Sequence, residues 1–174
     1  MKSSIVNIPW KHYLLTNCLT TNDFNAVSDY SLTLEVKKDT NLYFIEPYKD
    51  SPNRQHVPKK IKNILHDLGK RCAELLEIPE PYKIYSGIMI LKPDYRYNVI
   101  HTDSEWKTAT LVLGLSDTGT GTSLYETDGQ TFNYKTPYIK NGGMIFKRNN
   151  ETYHDYDSVG CKELRRTAMI WIKN

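Results

Sequence analysis

Hydrophobic and polar residues follow two different periods along this chain, and the period changes near Pro81. Before Pro81 the longest regular pattern runs from Lys59 to Ile78, where apolar residues recur at spacings of three and four. Such spacing places the apolar residues on one face of a helix. We therefore predict an amphipathic helix of about five turns that ends before Pro79, because the residue preceding a proline disfavours helical geometry.

Shorter patterns precede this helix. Capping residues ahead of an apolar cluster predict a short helix near 20–30. Alternating apolar and polar residues predict one strand at 31–36, and a second strand is predicted at 41–46. The segment 50–58 contains two prolines and is typical of a loop.

Beyond Pro81 the chain is a series of short β-rich runs separated by Gly, Asn, Asp and Pro. The predicted strands are 83–91, 97–101, 108–115, 122–125, 131–134, 143–147 and 165–172. Many short strands with turn signals between them indicate a sandwich or jelly roll. We therefore expect a mainly β fold with supporting helices, in which residues 1–80 support a β core formed by residues 81–174.

Length and composition restrict the class of protein further. The 174 residues suit a single domain, and 39% hydrophobic with 25% charged residues exclude a membrane protein and a disordered chain. The formal net charge of +3 is too small to indicate a nucleic-acid partner. Cys18, Cys72 and Cys161 have no C-x-x-C spacing and are expected to be free thiols in a reducing compartment. With no secretory or membrane-spanning segment, we expect a cytoplasmic protein without a membrane partner.

Two of the five histidines belong to a group that can bind a metal. His101 and Asp103 are two residues apart at the end of the predicted strand 97–101, so both side chains should point to one face and reach one cation. His154 follows after four predicted strand segments, enough chain to return to the same mouth of a jelly roll. Two histidines and one carboxylate form the facial triad suited to non-haem Fe(II) oxygen chemistry. A hydrolytic zinc site would need a separate general base, which no motif supplies.

The last predicted strand begins with a candidate anion receptor. Arg165 and Thr167 lie on one face of this strand and Arg166 lies on the other, because side chains alternate along a strand. A guanidinium group with a hydroxyl beside it is a good receptor for a carboxylate. We predict that Arg165 and Thr167 face the interior and that Arg166 points to solvent.

The order His101-x-Asp103, His154, Arg165-x-Thr167 resembles the Fe(II)/2-oxoglutarate-dependent oxygenase superfamily, above all its small prolyl-4-hydroxylase-like and phytanoyl-hydroxylase-like groups. This resemblance implies a double-stranded β-helix, the cupin-like jelly roll. It implies that the two histidines and the aspartate hold Fe(II), with 2-oxoglutarate and O2 as cosubstrates. It also implies that Arg165 pairs with the distal carboxylate of 2-oxoglutarate and that Thr167 hydrogen-bonds the same group.

The activity implied by the resemblance is that of a dioxygenase that hydroxylates a C–H bond of a peptide, an amino-acid side chain or a small metabolite, with release of succinate and CO2. Two alternatives stay open. One is a nucleic-acid demethylase of the same superfamily, although Trp171 stands where those enzymes carry a second arginine. The other is a jelly-roll binding module without activity.

Substrate contacts are the least defined part of the sequence. Tyr97, Trp106 and Tyr125 lie near the predicted mouth of the site and are candidates for covering a substrate. Three cationic residues in the same region are candidates for meeting an acidic group: Lys107, Lys135 and Arg148.

Overall fold

The computed structural model describes residues 1–45, 57–97 and 99–174, in which strands predominate. The strands are β1 (Lys2–Val6), β2 (His12–Thr16), β3 (Thr40–Phe44), β4 (Lys83–Leu91), β5 (Ala109–Gly114), β6 (Thr122–Tyr125), β7 (Phe132–Lys135), β8 (Gly143–Lys147), β9 (His154–Tyr156) and β10 (Arg165–Lys173). The helices are α1 (Thr21–Leu32) and α2 (Lys59–Leu75). Neither helix is long and apolar enough to cross a membrane.

The strands form two antiparallel sheets that enclose one interior. The larger sheet has seven strands in the order β1-β2-β8-β5-β10-β4-β3, and the smaller has three in the order β7-β6-β9. Leu124 of the small sheet packs against Met144 and Phe146 of the large one. The predicted mainly β jelly roll with supporting helices is therefore confirmed.

The outer face of the large sheet is covered by the helices. Alternate residues of β10, including Ile170, lie in the main hydrophobic core together with Leu65 and Leu68 of α2. Gly69 lets this helix approach closely, because a Cβ at this position would come within 2.7 Å of Ile84. The helices thus bury one face of the sheet and leave the other face to the interior between the sheets.

Two predicted strands are wrong. The segment 31–36 begins with the last turn of α1, and Leu32 is 64% exposed, so its apolar alternation does not mark a buried strand face. The described residues of 97–101 form no strand either. They contribute one isolated bridge, between His101 and His154.

Boundaries and exposed strands account for the other differences. Helix α2 ends at Leu75 rather than Ile78, and Glu77 adopts a left-handed backbone with φ of 52° that stops the helix. Strands β1, β2 and β9 have no predicted counterpart; β1 is exposed along almost its whole length and so lacks an apolar pattern. The predicted loop 50–58 lies outside the described residues except for its last two positions.

Candidate metal centre and anion receptor

His101, Asp103 and His154 come together at one end of the interior. One ligand atom from each residue lies within 4.8 Å of the others. The backbones of the two histidines are joined by a reciprocal pair of hydrogen bonds of 3.0 and 2.9 Å, and their ring centroids are 4.6 Å apart. This bridge between distant segments, and not the periodicity of a strand, brings the two histidine side chains together.

Backbone carbonyls fix the orientation of both imidazole rings. Nδ1 of His101 lies 3.0 Å from the Val99 carbonyl oxygen, and Nδ1 of His154 lies 2.9 Å from that of Thr152. Because a carbonyl oxygen only accepts, Nδ1 carries the proton in each ring and Nε2 keeps a lone pair for a metal. Burial lowers the pKa of His154 to about 4, so this ring is neutral and able to ligate at neutral pH.

Asp103 supplies the anionic ligand. It is buried and accepts hydrogen bonds from the Thr110 hydroxyl and from the Lys107 ammonium group. Burial by itself raises the pKa of Asp103, but the charge of Lys107, helped by His154 and the two hydrogen bonds, outweighs it and the pKa is lowered. The carboxylate is therefore ionised at neutral pH. Two imidazole nitrogens and one carboxylate oxygen form a donor set that fits a divalent first-row metal such as Fe(II).

A cavity of about 160 Å³ lies beside the triad, between the two sheets. Much of its wall is apolar and comes from the inner faces of β3, β4 and β10. The apolar residues that line it include Leu42, Met89, Val112, Met169 and Trp171. The cavity is smaller than the roughly 300–1,000 Å³ of pockets for drug-sized ligands, which favours a small ligand.

Arg165 forms the deep end of this cavity. It is 1% exposed, and its Nε donates to the Thr120 carbonyl oxygen at 2.8 Å. Its Nη1 and the hydroxyl of Thr167 find no hydrogen-bond partner within the described residues, and no ion pair there includes this guanidinium group. Thr167 lines a smaller recess of about 20 Å³ that also contains Arg165. A buried charge left unpaired is costly, so this end of the cavity is built for an anion.

Arg166 does not point to solvent, and that prediction is wrong. It is 7% exposed, and its Nη1 donates to the Ser31 carbonyl oxygen in the last turn of α1. Strand alternation correctly separates its side chain from that of Arg165, but the face on which it lies is covered by a helix. The exposed carbonyls at the end of a helix attract cations, which makes this a favourable place for a buried arginine.

Of the three candidate substrate contacts, one lines the cavity and two do not. Tyr97 lines the cavity and stacks on Tyr156, with ring centroids 4.6 Å apart. The rings of Trp106 and Trp171 are arranged edge to face with their centroids 6.4 Å apart, and Trp106 is not among the cavity-lining residues. Tyr125 also lies outside the lining; its hydroxyl donates to Asp155 at 2.7 Å.

The three candidate cations separate in the same way. Lys107 lines the cavity, whereas Lys135 pairs with Asp157 at 2.6 Å. Arg148 donates through Nε to the backbone carbonyl of Asp103 at 3.0 Å and so holds the loop that carries this ligand.

Tyr156 is a cavity residue that the sequence analysis did not identify. It lies two residues after His154 in β9, so both side chains face the interior. Burial, more than any neighbouring group, raises the pKa of Tyr156 to about 12, which keeps its hydroxyl protonated. The two-residue spacing from a candidate ligand is the signal that identifies it.

No protein-family profile and no curated protein sequence matches this chain. Solved structures do match its fold. A prolyl-4-hydroxylase of Pseudomonas putida is 13% identical with a TM-score of 0.66, over 94% of this chain and 92% of that chain. An oxidoreductase of the 2OG-Fe(II) oxygenase family from Burkholderia pseudomallei is 14% identical with a TM-score of 0.68, over 91% and 81%.

A third similar structure is the viral collagen prolyl hydroxylase of Paramecium Bursaria Chlorella virus-1 in its 2OG complex. It is 13% identical with a TM-score of 0.60, over 93% of this chain and 94% of that chain. At these identities the likeness concerns the fold. The chain therefore has the jelly-roll fold of these Fe(II)/2-oxoglutarate oxygenases, and the double-stranded β-helix that its sequence resemblance implies is confirmed.

Proposed function

We propose that this protein is a non-haem Fe(II)/2-oxoglutarate-dependent dioxygenase that hydroxylates a C–H bond and releases succinate and CO2. The observation that carries this proposal is the presence, in one cavity, of a metal-ligand triad and a buried arginine with an unpaired nitrogen. Each feature by itself is compatible with several classes of protein. Together they meet the two requirements of this chemistry, a metal site with open positions and a receptor for the far carboxylate of the cosubstrate.

The residues have separate tasks in this proposal. His101, Asp103 and His154 would hold Fe(II), which with bound 2-oxoglutarate supplies the activation of O2. Arg165 and Thr167 would bind the distal carboxylate at the deep end, where their unpartnered donors are buried. The cosubstrate would then lie along β10 between its carboxylate receptor and the metal.

Three observations favour hydroxylation over nucleic-acid demethylation and over passive binding. Trp171 is buried in the cavity wall at the position where the demethylases carry their second arginine, and the net charge of +3 gives little attraction for phosphates. A binding module has no need to bury an unpaired guanidinium group beside three metal ligands.

The proposed substrate is a small molecule or a peptide side chain, because the cavity is small and much of its wall is apolar. The proposed compartment is the cytoplasm. Its support is that Cys18, Cys72 and Cys161 are all free and buried.

The experiment is a titration of the purified protein with 2-oxoglutarate under anaerobic conditions, with and without Fe(II). Binding that depends on Fe(II), followed by succinate release after O2 is admitted, is the expected result. Absence of metal-dependent 2-oxoglutarate binding contradicts the proposal. Screening succinate release over free amino acids, peptides and nucleosides then separates hydroxylation from demethylation.

A further inference from the structure

Lys107 is a second cation of the cavity, at the end opposite Arg165. Its Nζ contacts the Asp103 carboxylate, and its ammonium group lies over the rings of Trp106 and Trp171 at 5.7 and 5.3 Å. Trp171 and Arg165 are six residues apart on β10, which is roughly 20 Å along a strand. The cavity therefore has one cation beside the metal ligands and another at its deep end.

The ammonium group of Lys107 has donors to spare. An ammonium group has three N–H bonds, and in the described part of the chain Asp103 is the one hydrogen-bond acceptor for them. The side chain is 15% exposed, and the two indole rings limit its movement towards solvent. The indole nitrogen of Trp171, in the same part of the cavity wall, is buried without a partner in the described chain. Unused donors therefore surround the space next to the metal ligands.

The balance of charge in the cavity also favours an anion next to Lys107. The charged side chains that line the cavity are Asp103, Lys107 and Arg165, and the two histidines, whose Nδ1 atoms face backbone carbonyls, would add no charge when they bind a metal through Nε2. With a divalent metal present, the positive charges exceed the negative ones by three. Dianionic 2-oxoglutarate at Arg165 removes two of them and leaves one positive charge next to Lys107. An uncompensated charge in a buried site is unfavourable, so one further negative charge should enter with the substrate.

We infer that the substrate of this enzyme is a small carboxylate-bearing molecule whose carboxylate binds Lys107, an inference that rests on the proposed oxygenase function. A single excess positive charge matches a monoanion better than a phosphate ester. Because Lys107 contacts a metal ligand, the reacting carbon lies only a few bonds from the carboxylate. The rest of the substrate is apolar, because the wall beyond Lys107 is formed by Leu42, Met89 and Met169.

The test compares an acid with its uncharged amide in protein loaded with Mn(II) and saturating 2-oxoglutarate, without O2. Isothermal titration calorimetry measures the binding of 4-methylpentanoate and of 4-methylpentanamide, which have the same branched apolar body. The acid should bind at least about tenfold more tightly, because a hydrogen bond between two charged groups is stronger than one to an uncharged amide. In Lys107→Gln the affinity of the acid should exceed that of the amide by less than about twofold. Lys107→Arg keeps the charge and should retain most of the preference for the acid.

Thr110→Val is the matched control, because it removes the other hydrogen bond to Asp103 without touching Lys107. This variant should keep the preference for the acid. If Thr110→Val and Lys107→Gln lose the preference for the acid equally, Lys107 is a positioning residue for Asp103 and the inference is overturned. A salt series on the wild-type protein needs no variant: rising ionic strength should weaken binding of the acid and leave the amide unaffected.

Three further outcomes overturn the inference. No preference for the acid in the wild-type protein, with 2-oxoglutarate bound, contradicts the role of Lys107 and leaves the oxygenase proposal standing. Displacement of 2-oxoglutarate by 4-methylpentanoate would place the carboxylate at Arg165 instead. If 2-oxoglutarate itself does not bind with Mn(II), the oxygenase proposal fails and this inference fails with it.

Discussion

Two adjacent arginines are buried on opposite faces of β10, and they differ in their hydrogen-bond partners. On the outer face, Arg166 lies under α1 and donates to the carbonyl of Ser31. On the inner face, Arg165 is even less exposed, yet its Nη1 has no partner in the described chain. A buried cation whose donors are used by the fold stabilises the fold. A buried cation with a donor left over has the chemistry of an anion receptor, and none of the described residues supplies its partner.

The neighbouring side chains repeat this difference. The outer residues Ala168, Ile170 and Ile172 are part of the core that the helices complete. The inner residues Met169 and Trp171 border a cavity of about 160 Å³. One strand thus closes a core on one side and lines a cavity on the other.

The largest effect on activity should follow from removing one of the candidate metal ligands. His154→Ala should reduce iron-dependent succinate release by more than about 100-fold, since even the loss of groups that only support ligands costs 10–100-fold. The fold should persist, because the variant removes a polar ring that is not part of the main core. Succinate assays with far-UV circular dichroism measure both quantities. Loss of the fold would instead make His154 a structural residue.

Arg165→Ala should have the next largest effect. It should weaken anaerobic 2-oxoglutarate binding by about 2–5 kcal/mol, because one partner of a buried charge pair is removed. The free energy of unfolding without ligand should change by less than about 1 kcal/mol, since the lost bond to Thr120 is offset by removal of a buried charge. Calorimetry and urea unfolding provide the two measurements. Unchanged 2-oxoglutarate affinity would contradict the assignment of Arg165.

Acid should destabilise the interior site of the metal-free protein. The pKa of His154 is about 4 in the fold and about 6.5 in an unfolded chain, so below pH 6.5 the unfolded state takes up a proton that the folded state does not. Between pH 6.5 and 4 the free energy of unfolding should therefore fall by about 3 kcal/mol. Urea unfolding with EDTA at several pH values tests this. His154→Asn should show a flatter dependence over this interval, and an identical slope in both proteins would mean that another group titrates.

Arg166→Ala should have the smallest effect, and it should change stability rather than 2-oxoglutarate binding. It should lower the free energy of unfolding by about 1–3 kcal/mol, because the carbonyl of Ser31 loses its hydrogen bond from a charged donor. The affinity of the folded variant for 2-oxoglutarate should stay within about twofold of the wild-type value, since the side chain lies on the other face of the sheet. Weakened 2-oxoglutarate binding equal to that of Arg165→Ala would remove the distinction between the two faces.

The sequence predicts those features that a local period determines. The apolar spacing after Lys59 predicts α2, and β4 has its predicted bounds, Lys83–Leu91. Alternation also assigns Arg165 and Arg166 to opposite faces. It does not show what covers a face, because a covering helix belongs to a distant part of the chain. That is why the burial of Arg166 could not be predicted.

The candidate ligands illustrate the same limit. His101 and Asp103 do meet His154 as expected, but they do so without the strand from which their common direction was inferred. The bridge that aligns them joins residues 53 positions apart, and no local pattern encodes it. Lys107 shows the limit most clearly, because the sequence offers it as one of three candidate cations and only its contacts with Asp103 and Trp171 distinguish it.

The bridge between His101 and His154 also determines when the metal site can come into existence. Closing a loop of 53 residues costs about 3–4 kcal/mol of chain entropy beyond a constant term. The site therefore forms only when both ends of this loop have met, and it is absent from any partly synthesised chain that stops short of His154. A metal that joins both ends acts as a reversible crosslink, and it stabilises the folded protein most against the fluctuations that reopen this loop.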